Sequence, residues 1–389
     1  MKYTKSIIEG ISAVIFLLLS ATAQADAECQ YENWRQLLRR YPSNEASPPT
    51  LAQPLKIGKP IDVSKFLYQS ILLKKNASLD EYVESSCVIG LMLLKDGLVV
   101  YENYFHGWRP EMQYLSASVS KTVLSLIVGI AIAEGKLSLA TKVVDIFPDY
   151  KSSAFGEVTV EELLRMTAGV KLVNNYIAGA ASDNQATNPI IEPNQNIYQY
   201  LKEKSAVTAG APKVFEYNGA ISAMLGLVLT KAIGQTATSY LEEKVWQPIG
   251  AEDKAYWIKN RRGEEGVQGQ FFATLRDYAK IGLLISENGK AHGLQVVPAP
   301  WIAQMTTLSK EKAQPLKPPY YGLHIWLPTF KQGSSQAMGT NGQFIYIDPR
   351  SRIVIVQTAA QKSPVGPQVN EFFPFRNAIV EELEKHVAN

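Results

Sequence analysis

Ser118 and Lys121 are the residues whose types and spacing most directly suggest chemistry. They open and close Ser118-Val119-Ser120-Lys121, which runs into a nearly uninterrupted apolar stretch from Thr122 to Ala133. A lysine three residues after a serine lies one helical turn along, on the same face. If a helix starts near Ser118, the hydroxyl sits at the positive end of the helix dipole, where a developing oxyanion is stabilised. Apolar surroundings lower the pKa of the Lys121 amine and let it accept a proton. Such a pair is suited to acyl transfer through a serine nucleophile.

The pattern is short enough to recur by chance. A second copy, Ser309-Lys310-Glu311-Lys312, is polar throughout, is followed by Pro315, and reads as a surface loop. The plainer alternative for Ser118 is a helix N-cap followed by a lysine that snorkels to water. A serine–lysine enzyme also needs a group that passes protons toward the leaving group. Tyr217, in Phe215-Glu216-Tyr217-Asn218-Gly219, ends a loop just before an apolar helix. Its phenol, placed near an ammonium, ionises more easily and can relay a proton. The alternative there is an ordinary half-buried tyrosine. His106, His292, His324 and His386 are scattered without metal-ligand spacing, and His324 reads as strand packing. No Gly-x-Ser-x-Gly elbow or phosphate-binding loop occurs.

These residues need elements to hold them. Apolar runs from Cys87 to Leu94 and from Leu98 to Tyr104 flank Lys95-Asp96-Gly97, a hairpin signal. The helix from Ser118 should stop at Gly135, and Thr159-x-x-Glu162 should cap a helix over Val160 to Met166 that Gly169 ends. Residues 171 to 212 read as a polar loop that shapes the pocket. Helical patterns follow over Ala220–Ile233, Thr236–Val245 and Phe272–Glu287. Strand-like runs cover Tyr321–Leu327, Gln343–Ile347 and Ile353–Thr358, and a helix from Phe375 to Val387 closes the chain. A hairpin first, helices in the middle and strands at the end predict an α/β (α+β) fold. Its two chain ends would share one antiparallel sheet flanked by helices, with the middle inserted as a helical lobe.

Lys2 and Lys5, the apolar run Gly10–Ala21 and Ala23-Gln24-Ala25 read as a secretory signal over residues 1–25. The run is short for a membrane span, so no stable anchor is expected after cleavage. Residues 26–85 read as an irregular lead-in punctuated by Pro42, Pro48, Pro49, Pro54 and Pro60, and 86–389 as the domain that carries the chemistry. Within it, 86–115 and 318–389 form the sheet lobe and 116–317 the helical lobe. Cys29 and Cys87 suit one disulfide in an oxidising compartment, with two free buried thiols as the alternative. A formal net charge of +3, without a basic run or aromatic–basic stripe, gives no footprint for nucleic acid. A periplasmic or secreted location is expected.

In their order along the chain, several segments resemble the class C β-lactamase-related serine hydrolases, and within them the 6-aminohexanoate-dimer hydrolase-like branch. They are Ser116-Ala117-Ser118-Val119-Ser120-Lys121, Leu163-Leu164-Arg165-Met166-Thr167-Ala168-Gly169, Phe215-Glu216-Tyr217-Asn218, Trp246-Gln247-Pro248-Ile249-Gly250, Ala273-Thr274-Leu275-Arg276-Asp277 and Gly339-Thr340-Asn341-Gly342-Gln343. The resemblance implies the serine β-lactamase/penicillin-binding-protein fold from about residue 87 onward. It also implies Ser118 as nucleophile, Lys121 as base and Tyr217 as relay. Gly339 and Thr340 would lie in the strand that replaces Lys-Thr-Gly, with the Thr340 and Ser118 amides as oxyanion hole. Tyr176, in Asn174-Asn175-Tyr176, would be a second substrate-contacting tyrosine.

Ser182-Asp183-Asn184 matches the second motif of class A enzymes, but no Lys-Thr-Gly or Glu-x-x-Leu-Asn accompanies it, and it reads as turn chemistry. The chain departs from class C in having Gly219 where an asparagine stands, and Gln336-Ala337-Met338 ahead of Gly339 without a cation. Small-molecule esters or amides therefore fit better than β-lactams, and no metal or organic cofactor is called for. A penicillin-binding protein or weak β-lactamase, and a non-catalytic binding protein on the same fold, are the competing expectations.

Overall fold

Asp96 and Gly97 both adopt positive φ, 55° and 78°, and fold β1 (Val88–Lys95) back on β2 (Leu98–Tyr104). This is the backbone a two-residue hairpin loop requires, which Asp-Gly supplies at little cost. The protein is described by a computed structural model, which covers residues 29–175, 180–205, 213–309, 312–315 and 319–386. The signal-like segment lies outside the described residues.

The hairpin joins the chain's far end. The C-terminal part supplies β3 (Tyr320–Tyr321), β4 (Trp326–Leu327), β5 (Ser335–Gly339), β6 (Gln343–Asp348) and β7 (Ile353–Ala359). The seven strands form one antiparallel sheet in the order β3-β4-β5-β6-β7-β1-β2. Ile355 on β7 faces Leu93 on β1, so residues more than half the chain apart are direct neighbours.

Both central faces of the sheet are covered, which explains why β1 is apolar almost throughout rather than alternating. Ile89, Met92 and Leu94 pack in one core with α2 (Val119–Ala133), and α5 (Leu275–Ser286) joins them. Val88, Leu91 and Leu93 turn to the opposite face, where α6 (Phe372–Lys385) contributes Phe372, Phe375, Ile379 and Leu383. The helical lobe adds α3 (Val160–Leu164) and α4 (Gly219–Ile233) to the first core.

Several expected elements are displaced. The lead-in contains α1 (Tyr31–Arg40), the antiparallel pair Leu67–Ser70 and Lys75–Ser78, and a capped helix Leu79–Ser85, so it is not irregular. The prolines fall between these pieces. α3 ends early because Met166 turns to φ 59°. Phe272 and Ala273 belong to a strand that pairs with Tyr114 and Leu115, and Thr274 caps α5 after it. The Tyr321–Leu327 run is two short strands around a bend at His324, φ 58°. The helix expected over Thr236–Val245 is α-helical only over Ala237–Leu241 and widens to π geometry over Glu242–Trp246.

Cys29 and Cys87 are disulfide-bonded, with their Cα atoms 5.6 Å apart. The backbone alongside is also paired, Gln30 N–H donating to Ala360 O at 2.7 Å. The bond closes a separation of 58 residues, and removing such a loop constraint costs about 2–4 kcal/mol. Cys29→Ser should therefore lower the denaturant midpoint of the oxidised protein, and dithiothreitol should lower the wild-type midpoint but not the variant's further. Equal midpoints for wild type and variant under oxidising conditions would show that the cross-link contributes nothing.

Candidate active site

The Ser118 side chain is presented by a strand, a strained turn and a helix. Tyr114–Leu115 pairs with Phe272 and Ala273, and Ser116 N–H donates to Phe271 O at 2.8 Å. Ala117 is then forced to φ 43°, an unusual backbone for a residue with a Cβ, and α2 begins at Val119. Ser118 occupies the N-cap position, but its hydroxyl makes no capping hydrogen bond. It accepts instead from the Lys121 amine at 2.9 Å.

Lys121 does not snorkel. Only 2% of it is exposed, and Nζ also donates to the Gln268 carbonyl at 2.5 Å. Among the described residues no carboxylate pairs with it, and burial pulls its pKa down to about 7. An amine held there is neutral in a large fraction of molecules at physiological pH, as a base must be. The Tyr217 ring lies 5.2 Å from Nζ, centroid to atom. That half-buried ring is held between Tyr321, 5.9 Å away, and Trp326, 5.2 Å away. Asn218 fixes the backbone beside it, its Oδ1 accepting from Ala220 N–H at 2.9 Å to cap α4.

Gly339 ends β5 against the turn that carries Ser118. A Cβ added there would lie 2.6 Å from Ser116 O and 2.9 Å from Ala117 Cβ, so the glycine is required by close approach. Thr340 follows and lines, with Ser118, a cleft of about 560 Å³. Trp34 and Leu37 of α1 form an apolar wall, and Asn184, Gln268, Gln270 and Asn341 bring polar groups. Tyr176 lies outside the described residues. The structure thus gathers Ser118, Lys121 and Tyr217 around one amine, and brings Gly339 and Thr340 to the same serine. The second Ser-x-x-Lys copy stands apart: Lys312 is exposed and pairs with Glu161 at 3.1 Å.

Three contributors were not read from the sequence. Gln268 gives Lys121 its carbonyl from a stretch with no motif, and its buried Oε1 has no partner among the described residues. Trp34 comes from the segment expected to be irregular, where the three-residue spacing to Leu37 was the signal. Asn184 comes from the triplet read as turn chemistry. Among the described residues no group of three or more His, Cys, Asp or Glu side chains could hold a metal ion, and no single helix is long and apolar enough to cross a membrane.

A model of the Beta-lactamase family matches residues 79–372. The 6-aminohexanoate-dimer hydrolase of Paenarthrobacter ureafaciens is 24% identical over 300 residues, covering 74% of this chain and 76% of that protein. Among solved structures, "Putative 6-aminohexanoate-dimer hydrolase from Bacillus anthracis" superposes with a TM-score of 0.80 at 22% identity, over 91% of this chain and 94% of the other. EstCE1, described as a hydrolase with promiscuous acyltransferase activity, gives 0.61 at 16% identity, over 77% and 96%. These structural likenesses place the chain in the β-lactamase/penicillin-binding-protein fold.

Two outcomes follow from the geometry. If Lys121 is the base, only its neutral amine can take the serine proton, and kcat/KM for an uncharged ester should rise about tenfold per pH unit below about 7 and level off above it. A profile flat from pH 5.5 to 9 would place the base elsewhere. Gly339→Ala should push β5 off the turn that carries Ser118, lowering the thermal midpoint and lowering kcat by about 100-fold, the scale of an ångström-sized misplacement. Unchanged kcat in a folded variant would show that the approach has no catalytic role.

Proposed function

This chain belongs to the beta-lactamase family, and from that premise we propose that it is a secreted or periplasmic hydrolase cleaving a small ester or amide through an acyl-enzyme on Ser118. The enzyme is a serine hydrolase of the family's esterase/amidase type. The observation that carries the residue assignment is the 2.9 Å contact between a serine free of capping duty and a buried lysine with no counter-ion among the described residues.

Lys121 takes the Ser118 proton as Oγ attacks the carbonyl carbon. The oxyanion that forms accepts from the Ser118 and Thr340 amides, two fixed donors where charge develops. Collapse of the tetrahedral intermediate breaks the bond to the leaving group, which receives its proton through Tyr217 from the lysine ammonium. Water, giving up a proton by the same route, then attacks the acyl-enzyme and frees Ser118 as the acid departs.

Esters and linear amides are the bonds this reading favours. The 6-aminohexanoate-dimer hydrolase and EstCE1 relatives support it, and Gln336-Ala337-Met338 ahead of Gly339 offers no cation for the carboxylate of a β-lactam. Secretion is supported by the signal-like segment and by a disulfide, which persists in oxidising compartments. Ser118→Ala should lower p-nitrophenyl acetate turnover by about 10³-fold or more and abolish fluorophosphonate labelling, with an unchanged circular dichroism spectrum. Undiminished turnover would remove Ser118 from the mechanism. A panel of short esters, linear amides and nitrocefin run on the wild type would separate the ester/amide reading from β-lactam hydrolysis.

A further inference from the structure

A second cavity, of about 410 Å³, opens between β4, β5 and α6. Trp326, Phe330, Met338 and Phe373 form its walls. Its polar groups are Arg376 and Gln336, which are 4% and 0% exposed. β5 alternates here. Ala337 belongs to the core on the α2 side, whereas Met338 packs on the α6 side, so the cavity lies across the sheet from the nucleophile helix.

Arg376 is buried without charge compensation. Among the described residues no carboxylate comes within ion-pair distance of it. Its guanidinium instead lies 5.3, 5.1 and 5.5 Å from the rings of Phe330, Tyr346 and Phe373. Nε and Nη2 donate to Asn377 Oδ1 at 3.0 and 2.7 Å, and Nη1 donates to Gln336 Oε1 at 2.7 Å. These bonds leave part of the five-donor fork unspent. Gln336 is oriented by accepting from Arg376, and its own Nε2, fully buried, has no partner among the described residues. Burial pulls the guanidinium pKa down to about 10, so it stays charged at neutral pH.

A buried lone cation and an unpaired amide N–H are both costly, and one acceptor-only anion between them relieves both. The planar fork suits a carboxylate in particular. Bare inorganic anions would leave the aromatic walls unfilled, whereas an apolar body behind the carboxylate covers them. We propose that this cavity is a binding site for a small apolar carboxylic acid, its carboxylate held by Arg376 and Gln336 and its hydrocarbon body by Trp326, Phe330 and Phe373. The proposal does not depend on the Ser118 chemistry. The two sites share a wall at Trp326, whose other neighbour is Tyr217 at 5.2 Å.

Benzoate is the probe, with binding measured by calorimetry on the full chain. Wild type and Ser118→Ala should bind it alike, and benzamide, the same size without the charge, should bind at least about tenfold more weakly. Arg376→Met should lose benzoate binding by more than about tenfold while still reacting with fluorophosphonate at Ser118. Met338→Trp, which fills the cavity and leaves the guanidinium in place, should lose it too and keeps the test open if the arginine variant does not fold. Several results would overturn the proposal: no benzoate binding by the full chain, equal binding of benzoate and benzamide, inorganic phosphate binding as tightly as benzoate, or benzoate binding undiminished in Met338→Trp.

Discussion

The structure depends on keeping one amine dry without giving it a counter-ion. In the proposed role Lys121 must lose its proton near neutral pH, so it cannot sit beside a carboxylate, yet a buried amine with no acceptor would be costly. The chain meets both demands with a hydroxyl and a carbonyl, Ser118 Oγ and Gln268 O. Neither carries a charge that would fix the ammonium. The helix bearing Lys121 is correspondingly apolar nearly all round, and it is buried because it is enclosed on every side rather than laid on a surface.

The few polar side chains of that helix determine where the surrounding loops lie. Ser120 Oγ donates to Val267 O at 2.6 Å and accepts from Trp257 Nε1 at 2.8 Å, fixing the strand of chain that supplies Gln268 O. Thr122 and Ser125 donate to His324 O and Leu323 O, each at 2.8 Å. The bend they hold carries Tyr321 and Trp326, the rings packed against Tyr217. His324 tightens the same bend, with Nδ1 2.8 Å from Leu164 O and Nε2 3.0 Å from Ser222 Oγ. Burial drops its pKa to about 3, so it is a neutral strut between α3, α4 and the bend, not a proton carrier. One helix therefore positions the Ser118 hydroxyl directly, the Lys121 amine by its third residue, and the Tyr217 phenol through a loop tied to its back.

How much of this the sequence reveals depends on how local the cause is. The hairpin at Asp96-Gly97, the capping box at Thr159 and Glu162, and the buried helix after Ser118 are set by neighbouring residues, and they are legible. β5 is harder, because Ser335–Gly339 is short and mixed in polarity and is a strand through its pairing with β6 along its whole length and with β4 at Gln336. Phe272 looks helical by period but pairs with Leu115, and that partner lies 157 residues away. α1 has a clear amphipathic pattern, yet a proline-rich context and the absence of any nearby partner hide its role. The Cys29–Cys87 bond, the pairing at Gln30 and the contacts of Tyr31 and Arg35 with His106 hold it as a wall of the cleft.

The least legible feature unites two observations that looked unrelated in the sequence. Gly219 stands where class C enzymes carry an asparagine, and Ser182-Asp183-Asn184 looked like a turn. A Cβ placed on Gly219 would lie 2.0 Å from Asn184 Oδ1, so the amide occupies the volume that the missing side chain vacates. Asp183, next to it, is buried and anchors the segment: its carboxylate accepts from Val173 N–H and pairs with Lys204, both at 2.6 Å. The cleft keeps a side-chain amide, but it arrives from a separate short helix, Asp183–Ala186, rather than from the first turn of α4. Such an exchange leaves no local trace, because each residue is ordinary by itself. It becomes visible only when the space around a glycine is measured, which is why a missing side chain in a motif is weak grounds for declaring its function lost.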